Sequence, residues 1–124
     1  FGSMPELIAE HRGAGVDAMI ERIEAAVADY PHVNQYRTWP GPNSNTFVAH
    51  VARSVPELRV DLPPNAIGKD YMPLSSPLAF APSGTGGQLS LLGVLGLTVA
   101  LDEGVEMNLL GLSLGVDVTR PALR

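Results

Sequence analysis

The chain contains no cysteine, which excludes a disulfide framework, a thiolate metal site and a cysteine nucleophile. Basic residues are scarce as well: 8 Lys and Arg stand against 13 Asp and Glu, for a formal charge of −5. They form no cluster of the kind that grips a phosphate backbone, so nucleic acid is not an expected partner. Long apolar runs are also missing. The longest, residues 89–101, carries Gly93 and Gly96 and falls short of the roughly twenty residues a membrane-crossing helix needs. The start of the chain lacks the basic-then-apolar pattern of a signal peptide, and Phe1-Gly2-Ser3-Met4 reads as the remnant of a cleaved tag. Compartment is not legible from these features.

What is present is 124 residues, about one domain's worth, read as a single α+β unit over residues 5–124. Within residues 14–29, Val16, Met19, Ile20, Ile23 and Val27 recur at steps of three and four, the stripe of an amphipathic helix that Pro31 ends. Residues 30–39 hold Tyr30, His32, Tyr36, Arg37 and Trp39 without a period, a connecting loop with aromatic anchors. His32 is a candidate base or ligand. The other histidines are His11 and His50, no pair has the spacing of a metal motif, and no metal or other cofactor is expected.

The stretch from Trp39 to His50, Trp-Pro-Gly-Pro-Asn-Ser-Asn-Thr-Phe-Val-Ala-His, is the most informative in the chain. Pro40-Gly41-Pro42 imposes a rigid non-helical approach, and Asn43 or Ser44 then suits the cap of a short helix ending before Pro56. Phe47, Val48, Val51 and Val55 form its expected buried stripe. Ser44 sits where free N–H groups and a partial positive charge favour an alkoxide, so it is a candidate nucleophile. His50, six residues on and about 600° around the helix axis, is not its base. Capping and turn formation by Asn43, Ser44, Asn45 and Thr46 explain the same residues without chemistry.

Residues 58–62 alternate Leu and Val with Arg and Asp, a short half-exposed strand or extended segment. Gly68-Lys69 lacks the spacing and the Ser/Thr of a phosphate loop, and Lys69 and Asp70 are expected to pair with other groups across a loop. Residues 72–88 read as a long irregular connection. Residues 89–101 and 105–118 read as two antiparallel strands joined around Asp102-Glu103-Gly104. The first is apolar at both alternating sets of positions, which points to burial on two faces. The expected architecture is two short helices packed on an antiparallel β-sheet built around this C-terminal hairpin. A second copy, or a segment absent from this chain, is expected to cover its free face.

Pro-Gly-Pro-Asn-Ser-Asn-Thr-Phe-Val-Ala-His, followed by Asp61-Leu62-Pro63-Pro64-Asn65-Ala66-Ile67-Gly68-Lys69-Asp70-Tyr71, resembles a bacterial family known only as the domain-of-unknown-function family 3750. The likeness continues through Pro82-Ser83-Gly84-Thr85-Gly86 and Asn108-Leu109-Leu110-Gly111-Leu112. Members of that family are longer, which implies that this chain corresponds to the C-terminal half of a larger architecture. The chain is more distantly similar to permuted papain-like and NlpC-type hydrolases, where an Asn-Cys pair opens a helix and the base histidine lies on an earlier strand. Asn43-Ser44 would stand at that pair, with serine for cysteine and no histidine strand upstream. Two functions follow as expectations. One is a non-catalytic binding or assembly module, in which Asn43, Asn45, Thr46, His32, Trp39, Lys69, Asp70 and Tyr71 contribute to a small-molecule or peptide site. The other is a hydrolase or acyl-transfer domain with Ser44 as nucleophile.

Overall fold

A computed structural model describes residues 4–63, 65–72, 78–81, 86–91, 95–100, 104–109, 112–117 and 122–123. Two helices lead, α1 (Val16–Ala28) and α2 (Ser44–Ser54), followed by a 3₁₀ turn at Pro56–Leu58. Six strands complete the chain: β1 (Leu78–Phe80), β2 (Gly86–Leu91), β3 (Leu95–Ala100), β4 (Gly104–Leu109), β5 (Leu112–Asp117) and β6 (Ala122–Leu123). They form one antiparallel sheet in chain order, so the α+β architecture expected from the sequence is the one observed.

Helix α1 follows Gly15, which adopts φ 90° at the cap. Ala26 is its buried contact, whereas Ile20 and Val27 of the expected stripe stay more than 40% exposed. In α2 the buried line is Thr46, Ala49 and Ala52, continuing to Val55. The expected line through Phe47, Val48 and Val51 is therefore rotated, and Val48 is exposed. Small side chains let α2 approach its neighbours closely, so the alanines are covered and the bulkier valines ride at the rim. His50 bridges the helices, with Nε2 3.0 Å from the Ala26 carbonyl that closes α1.

Two strand expectations are corrected. Residues 58–62 are not a strand: Arg59 takes φ 50°, which an extended segment does not tolerate. Each of the two apolar runs is not one strand but two. Leu91 pairs with Leu95 and Leu109 with Leu112, so the chain reverses inside each run. The long connection over residues 72–88 likewise holds β1 and the start of β2.

These reversals reset the alternation, and the sheet's two faces separate by polarity. On one face Gln88, Thr98 and Glu106 lie in register across β2, β3 and β4, beside a second row with Ser90 and Asn108, and all five are buried. On the other, Leu78, Leu89, Leu97, Met107 and Leu114 form a row across five strands. Each of those five side chains is 43–76% exposed. The expectation that the first apolar run is buried on two faces is overturned for Leu89, Leu95, Leu97 and Val99, which fall on the open face and are exposed; Leu92 and Val94, expected on the other face, lie outside the described residues.

Candidate functional site

The loop before α2 is built around Asn43. The chain reaches it through cis peptides at Trp39-Pro40 and Gly41-Pro42, and the Arg37 N–H closes the loop on the Pro42 carbonyl at 2.8 Å. Asn43 Oδ1 accepts from the backbone N–H groups of Asn45 (2.9 Å) and Thr46 (3.3 Å), while Thr46 Oγ1 accepts from the Asn43 N–H at 3.0 Å, a complete capping box. Asn43 Nδ2 donates to the carbonyls of Thr38 and Ile67, both at 3.0 Å. The cap choice left open between Asn43 and Ser44 thus falls to Asn43, the residue with a donor pair as well as an acceptor.

The loop at residues 66–71 is fastened to this cap. Asn45 Nδ2 donates to the Ile67 carbonyl at 2.8 Å, and the Thr46 hydroxyl donates to the Gly68 carbonyl at 2.7 Å. Gly68 takes φ 95°, and a Cβ there would stand 2.4 Å from the Asn43 amide, so glycine is required on both conformational and steric grounds. Asn43, Asn45 and Thr46 are therefore bound to backbone. Ser44, the first residue of α2, is exposed, and among the described residues its hydroxyl has no side-chain partner.

Ser44 lines an open cleft of about 520 Å³ together with Asn43, Phe47 and residues 30 and 32–36. Tyr30 is its central wall: it meets Phe47 at 5.1 Å, His50 at 5.4 Å and His32 at 5.5 Å, all edge to face, and His32 in turn meets Tyr71 at 5.5 Å. Such edge contacts suit the ring quadrupoles and hold the aromatic wall in place. Burial, with a smaller contribution from Tyr71, raises the Tyr30 hydroxyl above its ordinary 10.0, so it is neutral at physiological pH. No Asp, Glu, Lys or Arg lines the cleft. His32 shares it with Ser44, but no hydrogen bond joins an imidazole to the Ser44 hydroxyl among the described residues. Trp39 is half exposed and lies outside the cleft lining.

Lys69 and Asp70 occupy a different place, the polar face of the sheet. Lys69 Nζ donates to Asp70 Oδ1 at 3.0 Å and to Glu106 Oε2 at 2.8 Å, with all three side chains at most 6% exposed. Asp70 is the hub: Gln88 donates to Oδ1, Asn108 donates to Oδ2 at 3.2 Å, and the Ser90 hydroxyl donates to the Asp70 carbonyl. From α2, Arg53 reaches the Lys69 carbonyl (2.8 Å) and Gln88 Oε1 (2.6 Å). Burial pushes the Lys69 ammonium down, but Asp70 and Glu106 outweigh it and hold it above its ordinary 10.5. Among the described residues, the helical part and the sheet are thus joined by charge and hydrogen bonds. Among the described residues no group of three His, Asp or Glu side chains is arranged to hold a metal, and no helix is long and apolar enough to cross a membrane.

Sequence reasoning did not bring Asn34, Gln35 or Phe47 to the cleft, nor Arg53, Gln88, Ser90, Glu106 and Asn108 to the network. The period-two alternation of Glu106 and Asn108 with Val105, Met107 and Leu109 was the available signal for a polar face.

A helix pair whose capped loop opens on an aromatic cleft, set on a polar-faced β-meander, defines an α+β protein with a preformed concave site. The chain belongs to the family described as "Protein of unknown function (DUF3750)", whose model matches residues 1–71. That match takes in every residue lining the cleft and the loop through Tyr71, and stops before the strands. No curated protein and no solved structure matches the chain.

Proposed function

We propose that this chain is a non-catalytic binding module whose cleft takes an uncharged, peptide-like ligand bearing an aromatic or apolar side chain. One observation carries the proposal: a single cleft gathers Tyr30, Tyr36 and Phe47 with the carboxamides of Asn34 and Gln35 and the Ser44 hydroxyl, and no Asp, Glu, Lys or Arg lines it. Aromatic walls supply apolar contact, and the carboxamides supply both donors and acceptors, which is the complement of a peptide unit. A charged ligand would lose its hydration there without gaining a full counter-charge from a lining Asp, Glu, Lys or Arg, the α2 N-terminus offering only a partial one. The test is chemical-shift mapping of the labelled protein with an N-acetylated, C-amidated tripeptide centred on phenylalanine. Saturable shifts confined to residues 30–36 and 43–47 are expected. Their absence, or equal shifts with an acidic tripeptide, would overturn the proposal.

A second reading is favoured by one fact, that Ser44 and His32 line the same cleft at the N-terminus of α2. It makes the chain a hydrolase or acyl-transfer domain of papain-like type with Ser44 as nucleophile. Serine needs an imidazole within hydrogen-bond reach, supplied by His32 or by an upstream segment in a longer relative. The two readings separate in one assay: a Ser44-dependent burst of nitrophenol from an activated ester, lost in Ser44→Ala, belongs only to the second.

A further inference from the structure

The open face of the sheet carries ten large apolar side chains, each 41–76% exposed. Register arranges them in three neighbouring rows. The central one is the Leu78, Leu89, Leu97, Met107, Leu114 row; on one side Val99, Val105 and Val116 are in register, and on the other Leu95 and Leu109. No described position on this face bears a charge. The opposite face is already occupied by the Lys69 and Asp70 loop, so the rows form one unbroken patch with nothing laid over it among the described residues.

We infer that this face is a homodimer interface, in which two copies pack sheet to sheet about a two-fold axis near Leu97 and Met107. Ten large apolar side chains at these exposures amount to a patch on the order of the ~800 Å² that each partner contributes to a stable interface, and larger than the patch of a typical monomer. A two-fold places each row against its own copy or its neighbour's, and facing sheets at about 10 Å let rows of Leu and Met interdigitate. The sheet edges do not compete, because β1 has three residues and β6 two, too short to template pairing. A lipid surface fits less well. The segment between β3 and β4 carries Asp102 and Glu103, and the net charge is −5, which opposes approach to anionic headgroups; the face also has no Trp or Tyr to sit at the interfacial level. The inference is independent of the cleft, which lies in the helical half.

The test is sedimentation equilibrium of the full chain from low micromolar to near-millimolar concentration. A dimer is expected, and Leu97→Asp combined with Met107→Asp should weaken it by at least about a hundredfold while far-UV circular dichroism stays unchanged, since both side chains are exposed in the single chain. Should that variant misfold, the absence of cysteine provides a second arm. Leu97→Cys or Met107→Cys should give a disulfide-linked dimer under mild oxidation, and Glu24→Cys on the exposed side of α1 should not. A wild-type monomer at every concentration would overturn the inference, as would a dimer that keeps its mass in the double variant. Co-flotation of a monomer with phosphatidylcholine and phosphatidylglycerol vesicles would also overturn it, by showing that lipid is the covering layer.

Discussion

Asn43 spends both halves of its carboxamide on backbone, two N–H groups accepted by Oδ1 and two carbonyls served by Nδ2. Asn43→Ala therefore removes a helix cap, worth about 1 kcal/mol. It also takes a donor from the Thr38 carbonyl, while the Ile67 carbonyl keeps the one from Asn45 Nδ2. The expected loss in a urea titration is about 1–2 kcal/mol, against less than about 0.5 kcal/mol for Ser44→Ala. Equal losses from the two variants would contradict the assignment of the cap. This part of the site was legible in the sequence, because prolines and a run of Asn, Ser and Thr before an apolar helix have a local meaning. The Asp70 hub was not. Lys69 is its sequence neighbour, but Gln88 and Asn108 stand 18 and 38 positions away, and no local pattern says which carboxylate will be covered by which strand.

At the scale of elements, the joint between α2 and the loop over residues 66–71 depends on Gly68. Gly68→Ala meets both an unfavourable φ and the Asn43 amide, and should cost more than about 2 kcal/mol. In an Asn43→Ala background much of the steric share disappears, so the two losses should add to less than their sum in a double-mutant cycle. Strict additivity would show that the two residues do not share this joint. The helices themselves were readable from their three-and-four periodicity and proline stops. The strands were misread for a definable reason: a continuous Leu and Val run does not announce where it turns, and each unseen turn shifts the alternation from one face to the other. Once the turns are placed, Gln88, Ser90, Thr98, Glu106 and Asn108 fall on one face without exception.

For the whole molecule, two groups set the response to alkali. Lys69 and Tyr30 are both raised, so between pH 10 and their folded values the native state holds protons that the unfolded chain has released. Stability is then independent of pH below their ordinary values and falls as pH climbs through and above them. Melting temperature should decline above about pH 10, less steeply in Tyr30→Phe, which retains only the Lys69 share. A flat profile over that range would mean that neither group is coupled to folding.

The division of the sheet into a buried polar face and an exposed apolar one also has a calorimetric consequence. Among the described residues, four of the seven buried apolar ones are alanines, the others being Val55, Leu62 and Met72, so this part of a single chain hides little hydrocarbon when it folds. Heat capacity of unfolding reports the hydration of newly exposed apolar surface and is lowered by exposure of polar groups. At high dilution this chain should show a value below the usual ~12 cal/mol/K per residue, and a correspondingly broad, flat stability curve. At high concentration the value per chain should rise as the leucine rows leave water. A dilute sample with an average or higher heat capacity would mean that those rows are already covered within one molecule.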